Sequence, residues 1–275
     1  MPSLDAAISQ PLERGVTEAQ VYAAIADVLD PELDQSLVKL GFIDRVQVEG
    51  PDVTVIFKLP TYWCAPNFAY LMASDLHSQV RALPGVREAR VVLLDHFAED
   101  EITSGVNRGK SFSEAFVGEA IEDLDELRRT FARKGFLMRQ ETLLRRLHRA
   151  GLDEPAIIAL RVTDLTVDEA ADAAFIQREG SVIRLDGAGR GARLYLRKGA
   201  ALGLPQRPHD PLIIDTEGQP IQPGGLQAFM QRSRSVRLNI VFNTALCTGL
   251  FRTRYGRNEA PNEVSNEVSE EGDIQ

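Results

Sequence analysis

Two runs of alternating apolar residues, Phe42 to Val48 (FIDRVQV) and Val53 to Leu59 (VTVIFKL), are joined by Glu49-Gly50-Pro51-Asp52, and this pattern constrains the fold more than any other in the chain. Period-two apolarity marks half-buried strands, and the turn residues between the runs predict an antiparallel hairpin. A hairpin cannot bury its apolar face unaided, so helices must cover it. Val16-Thr17-Glu18-Ala19-Gln20-Val21 reads as a helix start, with Thr17 and Gln20 as a capping box and Val16 stapled to Val21. Val21, Ile25, Val28 and Leu29 form its apolar stripe, and Asp30-Pro31-Glu32 ends it. After the hairpin, Phe68, Leu71, Met72, Leu76, Val80 and Leu83 fall at helical spacing, which predicts a helix over 66–83 with Pro66 in its first turn. Pro84-Gly85 stops it, and Val86 to Asp95 (VREARVVLLD) supplies a third strand. The order is αββαβ, with both helices expected on one face of the sheet.

Composition bounds the function class. Of the 275 residues, 44% are hydrophobic and 26% charged, enough for an ordinary core and for two domains. No run of about 18 apolar residues is present, and MPSLDAAISQPLERG lacks a basic region followed by an apolar one, so the expectation is a cytoplasmic protein that does not enter a membrane. Residues 258–275 hold six acids and no base, so a net charge of −9 becomes −3 without them. A near-neutral body with an acidic tail does not predict nucleic-acid binding. Two cysteines make no disulfide framework, and a reducing compartment leaves both as thiols.

Cys64 falls between the second strand and the start of the following helix. Unpaired amides and the helix dipole favour negative charge there, so the thiolate is expected to be stabilised as a metal ligand or nucleophile, with burial as a small hydrophobe the competing reading. DPELDQSLVKLGFIDRVQV followed by VTVIFKLPTYWCAP resembles the small iron–sulfur cluster assembly domain of PaaD-like and SufT-like proteins. Asp30, Pro31 and Glu32 match the D-P-E start of that family; Leu37, Leu40, Gly41 and Ile43 match its L-x-x-L-G-L-I segment, and Thr61 and Cys64 its Thr- and Cys-bearing loop. The chain departs from the pattern in placing Ala65 between Cys64 and Pro66, and in having Tyr62 and Trp63 where small residues are common.

The resemblance implies a non-enzymatic assembly or maturation factor that delivers iron or an iron–sulfur cluster to an iron-dependent client, and relatives of this type are also found alongside iron-dependent oxygenase systems. It implies Cys64 as ligand, with Thr61, Asp30 and Glu32 shaping its loop. A cluster takes four ligands, mostly thiolates, and only Cys64 and Cys247 are available. The cluster is therefore expected to be transient or shared, with a client or within a homodimer. A protein-interaction scaffold without metal chemistry, and a thiol enzyme using Cys64 as nucleophile, stay open as alternatives.

Asp95, His96, Glu99, Asp100 and Glu101 gather oxygen and nitrogen donors at a strand end, with His96 and Glu99 as candidate ligands for iron, zinc or manganese. A solvated acidic turn is the competing reading. From Ser111, with Glu114 as capping partner, a connecting helix is predicted through Phe116, Val117, Ile121, Leu124, Leu127 and Phe131, ending at Gly135.

Beyond Gly135 a helix with Leu143, Leu144 and Leu147 is predicted, then one from Asp153 and one from Thr166 capped by Glu169. SVIRL, ARLYLRK, PLIID and VRLNIVF read as strands, with DGAGRGA (Asp186 to Ala192) as a hairpin turn rather than a phosphate loop. Cys247 is expected in core packing beside a late strand, and His148 and His209 at the surface. The expected fold is α+β throughout: an αββαβ domain at 16–95, an acidic loop and connecting helix at 96–135, a second α+β domain at 136–257, and a disordered acidic tail at 258–275.

Overall fold

The hairpin forms as its alternation predicts. In a computed structural model that describes residues 15–117, 124–178 and 180–256, the chain divides into one unit of Met1–Val28 with Ser36–Phe116 and a second of Leu29–Gln35 with Val117–Gln275. The first opens with α1 (Glu18–Ile25), whose Thr17–Gln20 capping box is complete. The chain then passes through the two-residue strands β1 (Leu29–Asp30), which belongs to the second unit, and β2 (Gln35–Ser36), and back in the first unit β3 (Ile43–Glu49) pairs antiparallel with β4 (Asp52–Lys58). Gly50 takes a φ of 63° in the turn, which suits glycine ahead of Pro51.

Helix α2 (Pro66–Arg81) buries Leu71, Met72, Leu76 and Val80 of the stripe read from helical spacing, with Ala69, Tyr70 and Ala73 beside them; Phe68 is only half-buried, and Leu83 lies beyond the helix end. It leads to β5 (Glu88–Leu94), parallel to β4, giving the sheet order β3-β4-β5. One helix of this unit was not visible in the pattern of apolar residues. The acidic run after β5 starts α3 (Glu99–Asn107), where its acids complement the helix dipole. Along β5, Asn107 accepts from Val91 N–H at 2.8 Å and donates to Val91 C=O at 2.7 Å, and Thr103 Oγ1 accepts from Leu93 N–H at 3.2 Å. Side chains of α3 thus stand where another strand would bond, closing this edge. The Ser111–Glu114 capping box forms, but its helix α4 (Phe112–Ala115) stops after one turn. Phe112 and Phe116 fold against Tyr70, ring centroids 5.5 and 6.4 Å away, instead of continuing the predicted helix. Ile121, part of that helical stripe, lies outside the described residues, as does the acidic tail.

The second unit is built on α5 (Leu124–Arg149). Gly135, read above as its end, lies inside it. A Cβ there would fall 2.8 Å from Asp34 Oδ1 and from the Lys198 side chain, so this glycine permits close approach and does not terminate the helix. After α6 (Glu154–Ala159), capped by Asp153, come a 3₁₀ turn (Val162–Asp164) and the strands β6 (Leu165–Asp168), β7 (Ala173–Arg178) and β8 (Ser181–Asp186). They form an antiparallel meander in the order β6-β7-β8. Thr166, expected to open a helix, pairs with Phe175 in the sheet.

Two predicted strands are helical. ARLYLRK lies in α7 (Gly189–Ala201) and VRLNIVF in α8 (Leu226–Tyr255). In α8 the buried positions Ser233, Arg237, Ile240 and Thr244 recur every three to four residues, a period that seven residues of mixed apolar sequence cannot reveal. PLIID contributes only isolated bridges at Pro211 and Ile214. DGAGRGA joins β8 to α7 and is not a hairpin turn between strands. Asp172 Oδ1 accepts from Arg190 N–H at 2.9 Å, so a carboxylate of the chain meets the amides of this helix start. Phe136, Leu144, Leu147, Ile157, Ile176 and Tyr195 centre the core. Within it Gln140 donates to Tyr195 Oη and to Ile214 C=O, both at 2.8 Å, and Glu141 pairs with Arg237 at 2.7 Å. Burial pushes the Tyr195 hydroxyl well above the usual phenol range.

Candidate functional site

Cys64 stands two residues before Pro66, next to the Ala65 N-cap of α2, which has no side-chain capping bond. It is half-buried, with Sγ 3.2 Å from Thr61 Oγ1. The hydroxyl can donate to the sulfur, as a thiolate requires, so the Thr61–Cys64 pair taken from the family pattern is a physical pair.

A second loop clasps the first. Phe97 N–H donates to Tyr62 C=O at 3.2 Å, and His96 Nε2 lies 2.7 Å from the Cys64 carbonyl oxygen. Ala98 N–H donates to His96 Nδ1 at 3.1 Å, so Nδ1 is the unprotonated nitrogen and the proton sits on Nε2, directed at Cys64 C=O. His96 is thus brought to Cys64, 32 positions away in the chain, as a buried pin for its backbone. Both ring nitrogens are engaged in this arrangement, and the imidazole faces the carbonyl rather than the thiol. Glu99 lies alongside, its Oε2 accepting from His96 N–H at 3.4 Å. Asp95, which turns the chain out of β5, has a φ of 58° and pairs with Lys58 at 3.7 Å.

The aromatic departures from the family pattern meet here. Tyr62 and Trp63 contact edge to face at a centroid distance of 4.8 Å, Phe97 lies 5.5 Å from Trp63, and the His96 ring stacks under Phe97 at 4.9 Å. Nothing in the local sequence links Phe97 to Tyr62 and Trp63. The only advance signal was an aromatic residue in an otherwise acidic segment.

Asp30 and Glu32 belong to the second unit, whereas Thr61, Cys64, His96 and Glu99 belong to the first. Asp30 Oδ1 accepts from Glu32 N–H at 2.9 Å and Leu33 N–H at 3.0 Å. Burial raises its pKa from 3.8 to about 6 against the pull of those two bonds, with the charges of Glu32 and Asp34 adding to the rise. Asn243 donates to Glu32 Oε1 at 3.3 Å. Asp34, at φ 53°, pairs with Arg139 at 2.7 Å and Lys198 at 2.5 Å. The D-P-E segment is thus a tightly hydrogen-bonded turn. Cys247 is half-buried within α8 rather than beside a strand; His148 Nδ1 lies 3.2 Å from Leu152 C=O, and His209 is exposed.

Among the described residues, no group of three or more His, Cys, Asp or Glu side chains is disposed to hold a metal ion, and no helix is long and apolar enough to cross a membrane. Neither the curated proteins nor the solved structures gave a match. Residues 18–91, from the start of α1 into β5 and including the Thr61–Cys64 loop, match a family model described as iron-sulfur cluster assembly protein. The N-terminal part of the chain thus matches the iron–sulfur cluster assembly protein family.

Proposed function

We propose that this chain is a non-enzymatic assembly factor that passes iron or an iron–sulfur cluster to an iron-dependent client, with Cys64 as its thiolate ligand. The observation that carries this is the placement of Cys64: within the matched region, against the Thr61 hydroxyl, at the start of α2, on a loop pinned by His96. In this reading Thr61 supports the charge on sulfur and His96 holds the backbone. Asp30 and Glu32 shape the D-P-E turn, and Glu99 steadies the His96 loop. A single thiolate cannot hold a cluster, so the client supplies the remaining ligands and retains the cargo because it binds with more of them. An oxygenase system is one client class consistent with this chemistry.

The test is anaerobic reconstitution of the full chain with ferrous iron and sulfide, followed by iron analysis and by activation of an apo client. Cys64→Ser should lose both activities while keeping its circular dichroism. Normal activation by the Ser variant would refute the ligand role. A second reading, a scaffold without metal chemistry, rests on the departures from the family pattern at Ala65 and at Tyr62 and Trp63, and it predicts no iron uptake by either protein. A thiol enzyme is disfavoured because His96 faces the carbonyl of Cys64 and not its sulfur.

A further inference from the structure

Tyr62, Trp63 and Phe97 stand out of the first unit beside Cys64, with 44, 73 and 41% of their surfaces exposed. They form one patch, since each ring lies within 6.3 Å of the other two by centroid distance. The patch is braced from below. Phe97 is stacked on the buried His96 ring, and its backbone is bonded to Tyr62. Aromatic rings held in place before binding lose little conformational freedom on docking and shed much apolar hydration, which is how interface anchors work.

Charge narrows the occupant. Residues 95–101 carry Asp95, Glu99, Asp100 and Glu101 and no Lys or Arg. Nearby Lys58 is shared between Asp44 and Asp95, at 3.4 and 3.7 Å. An acidic rim repels a second copy of itself, an anionic lipid surface and nucleic acid alike, and complements lysine and arginine. We infer that Tyr62, Trp63 and Phe97 form a docking anchor for a protein partner that presents an apolar pocket rimmed by Lys or Arg, beside the cysteines that complete the cluster with Cys64. The cysteine clause rests on the function proposed above; the anchor rests on the patch alone.

The test places a photo-crosslinker in the full chain, Trp63→benzoylphenylalanine, in its own host cell, with Val182→benzoylphenylalanine, another exposed site, as control. Cross-linked peptides are mapped by mass spectrometry. The expected partner segment carries Lys or Arg around apolar residues and belongs to a protein with metal-binding cysteines. Its yield should fall at least about tenfold when Phe97→Ala is added, and fall again as salt is raised. Cross-links from position 63 to a second copy, to lipid, or to the same proteins that Val182 reaches would overturn the inference, as would a yield indifferent to Phe97→Ala. Failure of the two proposals is distinguishable. Normal iron uptake by Cys64→Ser with the mapped cross-link intact removes the ligand role and leaves the anchor, and the opposite pattern removes the anchor alone.

Discussion

Asp30→Asn isolates the cost of a buried carboxyl in the D-P-E turn. The side chain accepts two backbone amides while burial lifts its pKa from 3.8 to about 6. At roughly 1.4 kcal/mol per pH unit, that displacement costs about 3 kcal/mol once the pH is above both values. The sign follows from proton counting. Between 3.8 and about 6 the folded chain holds a proton that the unfolded chain has released, so this group's contribution to stability is greatest below 3.8. It declines as pH rises through that window and is lost above about 6. Asparagine keeps a neutral oxygen for the Glu32 and Leu33 amides, as the protonated carboxyl does, but cannot ionise. Urea unfolding of both proteins between pH 4 and 8, followed by circular dichroism, should therefore show the variant gaining on the parent by about 3 kcal/mol across the window and exceeding it at neutral pH. Asp30→Ala, which leaves both amides unmet, should be less stable than Asp30→Asn throughout. A parent–variant difference that stays constant with pH would show that the carboxyl is not held neutral by burial, and the reasoning would fail.

His96→Ala should cost about 1–3 kcal/mol by unpairing Cys64 C=O and Ala98 N–H, and should speed alkylation of Cys64 by loosening its loop; an unchanged rate would show that the pin is dispensable. Gly135→Ala gains about 1 kcal/mol of helix propensity but forces Asp34 and Lys198 apart, so net destabilisation is expected in thermal melts. Arg237→Leu removes the closest cation from Glu141, whose pKa burial already raises, leaving only Arg145 and Arg234 to offset its charge, and should cost about 3 kcal/mol, more as pH rises because the buried charged form is the one penalised. Glu141→Leu combined with it should recover most of that loss.

The first unit was legible because its signals are local. The hairpin follows from alternation around Gly50-Pro51, α2 from Pro66 and the Phe68-to-Val80 spacing, and β5 from its apolar run. Thr61 and Cys64 are three residues apart, and their pairing could be taken from the family pattern. His96 and Phe97 reach the same loop only through the crossover of α2 and β5, a separation that periodicity does not encode. In the second unit local and tertiary preferences conflict. ARLYLRK and VRLNIVF are rich in residues that suit strands, yet they lie in α7 and α8, where Tyr195 and Ile240 pack into the interior. Gly135 misled for the opposite reason, since its lack of a side chain serves packing and not chain reversal.

The closing of the β5 edge by α3 sets how short the N-terminal piece can be cut. Family similarity stops at residue 91, yet the amides of Val91 and Leu93 are completed by Asn107 and Thr103. A fragment ending at residue 91 would cut β5 short of Leu93 and take Asn107 away from Val91, leaving a raw strand edge prone to recruit other chains. A piece that keeps this edge closed must run through α3, to residue 107, so the matched region and the stretch that completes its sheet have different lengths.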